Sequence, residues 1–182
     1  MNSESEASLF SSALPRPLAD KIRPDSLYEI VGQEHLFKAD AAIGQFMQSK
    51  RIASCILWGP PGSGKTTIAR LIARDSNLQM VSLSAVFSGV TELRKTFLEA
   101  RDRYSLGHRT LLFVDEIHRF NRAQQDAFLS VVEEGVITLI GATTENPSFE
   151  LNDALLSRCQ IVVLNRLDEE ALKKIINRAE KH

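Results

Sequence analysis

The chain has 182 residues, with 22 lysines and arginines against 23 aspartates and glutamates, so its formal net charge is −1. With 43% hydrophobic and 25% charged residues, its composition is that of a folded globular domain and excludes an intrinsically disordered chain. No apolar run approaches the roughly 20 residues of a membrane span, so no membrane partner is expected. The near-zero charge argues against strong, purely electrostatic binding of nucleic acid.

The chain opens on a polar, unpatterned segment that lacks the basic start and apolar stretch of a secretory signal. We interpret residues 1–16 as a flexible leader. Two cysteines, Cys55 and Cys159, form no CxxC motif and no Cys/His cluster. They are expected to be reduced thiols, which favours a cytoplasmic location.

Short apolar runs alternate with longer amphipathic stretches from Ala19 onward. The apolar runs predict buried strands at 53–58, 80–83, 110–114, 137–143 and 161–164. Apolar residues at helical spacing predict helices over 66–75, 91–104, 121–134 and 168–181. Such alternation builds βαβ units, so we predict an α/β fold with a parallel sheet flanked by helices.

The last predicted helix carries its own start signals. Asp168 can cap its first turn, and Glu169 and Lys173 form an oppositely charged pair one turn apart. Leu167 and Leu172 stand where a hydrophobic staple fixes the entry of the chain into a helix.

A glycine-rich loop between the first strand and the first long helix fits the GxxxxGK[ST] pattern of phosphate-binding loops. It is formed by Gly59, Pro60, Pro61, Gly62, Ser63, Gly64, Lys65 and Thr66, and Thr67 extends the predicted nucleotide site into the helix. The glycines let backbone N–H groups converge on phosphate oxygens, and the helix N-terminus adds positive potential. Lys65 can reach the terminal phosphates, and the Thr66 hydroxyl can ligate Mg²⁺. The loop therefore predicts binding of a nucleoside triphosphate.

The third predicted strand ends in two carboxylates, Asp115 and Glu116. Mg²⁺ prefers oxygen ligands, and Asp115 at the carboxyl end of a parallel strand can supply one. Glu116 can orient and deprotonate an attacking water molecule. A glutamate beside the metal ligand favours hydrolysis over transfer of the phosphoryl group to another substrate.

Several stretches resemble the AAA+ ATPases and, more closely, the replication-associated recombination protein A family, which includes the Werner helicase-interacting protein of eukaryotes. The resemblance runs from about Pro17 to Leu164. It is carried by DEIHRFN at 115–121, QQD at 124–126 and IGATTENPSF at 140–149. The N-terminal box of clamp-loader-type members is resembled by PLA at 17–19, RP at 23–24, Leu27 and VGQEHL at 31–36.

The resemblance implies roles for residues that the loop and the acidic strand end do not explain. The N-terminal box lies against the adenine base in that group, which implies adenine contacts for Arg23, Pro24, Val31 and Gly32. Thr144 matches the sensor 1 position, where a polar side chain senses the γ-phosphate or the attacking water. Arg158, in a Ser-Arg-Cys motif, matches an arginine finger that reaches the ATP of a neighbouring subunit. Considered apart from this motif, Arg158 is expected to be an ordinary surface residue that forms an ion pair.

The resemblance also implies an architecture and partners. The expected core is a five-stranded sheet of order 5-1-4-3-2 over residues 17–166, and residues 167–182 are expected to form the first helix of a truncated lid. The chain stops at His182, so we expect a piece of a longer protein. The family further implies ATP with Mg²⁺, a homo-tetramer, and nucleoid-associated action on DNA forks or ends together with single-stranded DNA-binding protein.

Two questions stay open at the level of sequence. His118, Arg119 and Arg122 form a small basic group that either faces DNA or simply starts a solvated helix. The leading function is a DNA-associated ATPase for fork maintenance, recombination and repair. The alternatives are a clamp-loader or Holliday-junction motor subunit, and a nucleotide-switched adaptor with little turnover.

Overall fold

The computed structural model describes residues 17–181. The predicted leader, residues 1–16, lies outside this range. Short elements occupy the first part: helix α1 at Leu18–Lys21, 3-10 turns at Leu27–Glu29 and Glu34–Phe37, and helix α2 at Ala42–Ser49. Across residues 17–181, no helix combines the length and the apolar character that crossing a membrane requires.

Within residues 17–181, five parallel strands form a single sheet. They are β1 Cys55–Trp58, β2 Gln79–Ser84, β3 Thr110–Asp115, β4 Ile137–Thr143 and β5 Gln160–Val163. Their spatial order is β2-β3-β4-β1-β5, which confirms the predicted order read from the opposite edge. Strands β3 and β4 are buried along almost their whole length because helices cover both faces of the sheet.

The longer helices cover the two faces of this sheet, with short helices in the connection between β4 and β5. They are α3 Lys65–Asp75, α4 Val90–Ser105, α5 Arg122–Glu133, α6 Pro147–Glu150, α7 Asp153–Leu156 and α8 Glu169–Ala179. All predicted strands and helices are present, with bounds that differ by two residues at most.

Two apolar cores hold the layers together. On one face, Phe46 of α2 and Ile68 and Ile72 of α3 are fully buried against the sheet. On the other, Phe97 of α4 meets Phe128 of α5 edge to face, with ring centroids 5.2 Å apart. This two-sided packing fixes the strand ends from which the polar residues of the site extend.

The start of helix α8 follows its sequence signals, and the structure also shows a cap at the start of α5. The Asp168 carboxylate accepts a hydrogen bond from the Ala171 N–H at 2.8 Å, and the Glu169 carboxylate and Lys173 ammonium are 2.7 Å apart. Asn121 and Gln124 form a reciprocal capping box at the start of α5. Helix α8 therefore begins where the sequence predicts.

Helix α2 is the longest element that the sequence analysis did not predict. Its interior contains Gly44, a residue that normally lowers helix propensity. The structure explains this glycine, because a Cβ atom placed there would lie 1.8 Å from the Lys38 carbonyl oxygen. Close backbone approach, rather than local preference, selects this residue.

Candidate functional site

Three neighbouring strands, β3, β4 and β1, end at the same edge of the sheet, and polar residues stand at or just beyond each end. A cavity of about 540 Å³ opens there. Among the predicted site residues, those that line it are Arg23, Pro24, Val31, Pro61, Gly62, Ser63, Gly64, Lys65, Thr66, Thr67, Asp115, Glu116 and Thr144. The fold thus brings together the phosphate loop, the acidic strand end and three of the four predicted adenine contacts.

The phosphate loop leaves open space where an anion would sit. Gly62 and Gly64 have φ angles of +75° and +100°, and a Cβ atom built on either would have no neighbour within 4 Å. Among residues 17–181, three buried side-chain atoms lack a hydrogen-bond partner, and two of them, Ser63 Oγ and Arg23 Nη1, belong to residues that line this cavity. An unpartnered buried hydroxyl beside a glycine cradle fits a phosphate oxygen.

Lys65 begins helix α3, and its side chain folds back over the loop. The ammonium donates hydrogen bonds to the carbonyl oxygens of Gly59 at 2.7 Å and Pro60 at 3.0 Å. These two residues therefore hold Lys65 rather than line the cavity. Burial lowers the pKa of the Lys65 ammonium, and the nearby carboxylates of Glu116 and Asp115 oppose that shift. A bound triphosphate would add negative charge beside the Lys65 ammonium and further favour its charged form.

The acidic strand end turns sharply after Asp115. Glu116 has φ 51° and ψ 46°, a left-handed conformation that is uncommon for a residue with a side chain. The turn places its carboxylate 3.4 Å from the Thr144 hydroxyl at the end of β4. Asp115 and Thr66 line the same cavity, so both oxygens predicted to hold Mg²⁺ face one space.

His118 is not part of an exposed basic group, and this part of the sequence prediction is wrong. Its side chain is only 7% exposed, and its Nδ1 atom lies 3.2 Å from Glu116 Oε2. Arg119 and Arg122 are exposed, as a solvated or DNA-facing helix start requires. The 3-10 turn at Ile117–Arg119 causes this difference, because it directs the imidazole back toward the end of β4.

The N-terminal box forms the wall of the cavity together with helix α8. Gly32 does not line the cavity; it packs so closely on Leu167 that a Cβ atom there would lie 2.8 Å from Leu167 Cδ2. The fully buried Gln33 donates hydrogen bonds to the Ser63 and Asn165 carbonyl oxygens, at 3.3 and 2.8 Å. The box is thereby attached to both the phosphate loop and the segment that leads into α8.

Helix α8 contributes two cavity-lining residues that were not among the predicted site residues, Ile175 and Arg178. The Arg178 guanidinium donates to the carbonyl oxygens of Glu29 at 3.0 Å and Ile22 at 3.4 Å. Ile175 and Arg178 are three residues apart, on the same face of α8 as the buried Ala171. This helical spacing was the signal in the sequence that could have identified them.

Arg158 lies outside the cavity, between α7 and β5. Its guanidinium pairs with Glu133 of α5 and donates to the Ala154 carbonyl oxygen at 2.6 Å. It is exposed on the surface and so does not act on the nucleotide site of its own chain in this arrangement.

A parallel sheet of this order, with a glycine-rich loop leading from its first strand into a helix, defines a P-loop nucleotide-binding core. Residues 55–167 match the ATPase family associated with various cellular activities, the AAA family. The chain belongs to this family, as its motifs predicted.

Relatives in sequence agree with the narrower resemblance. The chain is 49% identical over 170 residues to replication-associated recombination protein A of Escherichia coli, covering 93% of this chain and 38% of that protein. It is 48% identical over 162 residues to ATPase WRNIP1 of Dictyostelium discoideum, covering 89% of this chain and 18% of that protein. The chain thus spans well under half the length of these relatives.

The fold is similar to that of solved RuvB structures. The Holliday junction branch migration motor RuvB of Thermotoga maritima superposes with a TM-score of 0.68 and 32% identity, covering 88% of this chain and 54% of that one. A mutant of the same protein gives a TM-score of 0.72 at 31% identity, with 88% and 55% coverage. These structures support the P-loop assignment of the fold.

Proposed function

We propose that the chain binds Mg-ATP and hydrolyses it, as the nucleotide-binding part of a DNA-associated ATPase that acts in replication-fork maintenance, recombination and repair. The convergence of the phosphate loop, Asp115–Glu116 and Thr144 on one cavity carries the chemical part of this proposal. The names of the relatives in sequence support the biological part.

In the proposed reaction, a water oxygen bonds to the γ-phosphorus while the bond from that phosphorus to the β–γ bridging oxygen breaks. Glu116 takes a proton from the water, and Thr144 orients the carboxylate or the water. Lys65 and the backbone N–H groups of the loop neutralise charge on the phosphates. Thr66 and Asp115 would hold Mg²⁺, which neutralises phosphate charge when bound.

The adenine base is proposed to lie between the N-terminal box and α8, against Pro24, Val31 and Ile175. These side chains offer an apolar surface of the kind on which a flat base packs. The unpartnered Arg23 Nη1 supplies a donor at the edge of the same space. Gly32 contributes through its close packing on Leu167, not through direct contact.

We further propose that residues 17–166 form the nucleotide-binding core and that residues 167–182 begin a helical lid. The end of the last strand at Val163 and the start of α8 at Glu169 support this division, and the contacts of Gln33 and Arg178 attach the start of the lid to the core. If the chain is bacterial, a cytoplasmic, nucleoid-associated location belongs to the same proposal, since a protein that acts on a bacterial chromosome meets it there.

Arg158 is proposed to act in trans, on ATP bound to the next subunit of a homo-oligomer, a tetramer by resemblance. Its exposed position outside its own cavity supports this role. Arg158→Ala and Glu116→Gln are each expected to lose hydrolysis, whereas a mixture of the two recovers part of it. In mixed assemblies, the intact Arg158 of a Glu116→Gln chain can face the intact Glu116 of a neighbouring Arg158→Ala chain. Absence of recovery at every mixing ratio would contradict action in trans.

The DNA-associated role is tested by ATP turnover with gapped or forked DNA, alone and coated with single-stranded DNA-binding protein. We expect such DNA to raise kcat, whereas a nucleotide-switched adaptor would bind ATP with little turnover on any DNA. The RuvB likeness favours a second candidate, a junction motor. Stimulation by four-way junctions but not by gapped DNA would support that candidate against the first.

A further inference from the structure

His118 occupies a position that the proposed reaction does not use. It lies in the turn after Glu116, and its Nδ1 atom is 2.8 Å from Thr143 Oγ1 and 3.2 Å from Glu116 Oε2. Thr143 is fully buried at the end of β4. The imidazole therefore connects the acidic end of β3 to the neighbouring strand. His118 itself is not among the residues that line the cavity.

The partners of His118 determine where its proton lies. An ionised carboxylate only accepts hydrogen bonds, so Nδ1 must carry a proton to interact favourably with Glu116. Thr143 Oγ1 donates to the Glu145 carbonyl oxygen at 3.2 Å and accepts from the Glu145 N–H at 3.0 Å. With its own proton engaged, this hydroxyl can accept a further hydrogen bond from Nδ1. His118 is thus a donor shared between Thr143 and Glu116.

We propose that His118 is a positioning residue that holds the Glu116 carboxylate toward the attacking water, an inference that depends on Glu116 being the base of the proposed reaction. The left-handed backbone of Glu116 leaves its side chain without the support of a regular strand. His118 and Thr144 supply that support from two directions, and both contact the same oxygen, Oε2. Because Thr143 and Thr144 are adjacent, the base becomes fixed relative to the end of β4.

The test compares His118→Asn with His118→Gln in single-turnover hydrolysis by the full chain. An asparagine amide can place an N–H near the position of Nδ1, whereas the longer glutamine places it near Nε2. We expect the glutamine variant to lose about 10- to 100-fold in the single-turnover rate constant and the asparagine variant to keep most of it. The dissociation constant for ATP is expected to change little in either. His108→Gln, on an exposed loop, is the matched control.

A double-mutant cycle separates this inference from the proposed function. In a Glu116→Gln background, His118→Gln is expected to have no further effect, because it acts through Glu116. Additive losses, or equal losses in the asparagine and glutamine variants, would overturn the positioning role while leaving Glu116 as the base. Unchanged hydrolysis in Glu116→Gln alone would remove Glu116 as the base of the proposed reaction and, with it, this role for His118; no hydrolysis by the unsubstituted chain would instead overturn the proposed function.

Discussion

Replacement of Glu116 by glutamine is expected to leave ATP bound and to lower the rate of hydrolysis at least about 100-fold. Glutamine keeps the length of the side chain and an oxygen that can face Thr144 and His118. An amide oxygen does not take up the proton of water near neutral pH, so the variant lacks the base. The loss should fall on the rate constant of the hydrolysis step and not on the dissociation constant for ATP.

The measurement for Glu116 is phosphate release under single-turnover conditions, with ATP affinity determined in parallel. Glu145→Gln is the matched control, because Glu145 is exposed and follows Thr144 without lining the cavity. Hydrolysis at the unsubstituted rate by Glu116→Gln would remove Glu116 from the mechanism. Loss of ATP affinity in that variant would instead indicate a structural role.

Replacement of Lys65 by alanine is expected to weaken ATP binding roughly 10- to 100-fold, the effect of losing a hydrogen bond to a charged group. Hydrogen bonds to two carbonyl oxygens of the loop hold the ammonium in place. It can therefore contact a phosphate without a large rearrangement. Burial lowers the pKa of this lysine, and an approaching triphosphate favours its charged form. Binding and charge neutralisation therefore depend on the same group.

Titration with a fluorescent ATP analogue in the presence of Mg²⁺ measures the effect at Lys65. Lys95→Ala is the matched control, because Lys95 is exposed on α4, far along the chain from the loop, and forms only a surface pair with Glu99. Equal affinities of Lys65→Ala and the unsubstituted chain would place the nucleotide elsewhere.

The sheet and the phosphate loop could be predicted because their signals are local. Strand β3 contains a continuous apolar run and β4 is mostly apolar, and parallel strands that end in polar residues must present them at one edge. The position of Asp115 and Glu116 at the end of a predicted strand was therefore enough to place them near the phosphate loop. Helix α2 could not be predicted in this way, because Gly44 is selected by its close approach to the Lys38 carbonyl oxygen, a contact that helix propensity does not reveal.

The remaining parts of the site depend on contacts between distant residues and on backbone direction. Arg178 donates hydrogen bonds to the carbonyl oxygens of Glu29 and Ile22, which are separated from it by 149 and 156 positions in the sequence. Helical spacing indicates which face of α8 is buried but not what it is buried against. The orientation of His118 follows from the left-handed conformation of Glu116, which sequence does not reveal for a glutamate. Both residues therefore required the folded structure.

Hydrogen–deuterium exchange with Mg²⁺ and a non-hydrolysable ATP analogue tests most directly whether the cavity at the strand ends is the ATP site. We predict slower exchange of the backbone N–H groups from Gly62 to Thr66, with weaker protection in the N-terminal box. Lys65→Ala should lose this protection at the same analogue concentration. Protection confined to other parts of the chain, or none at saturating analogue, would contradict the assignment of this cavity as the ATP site.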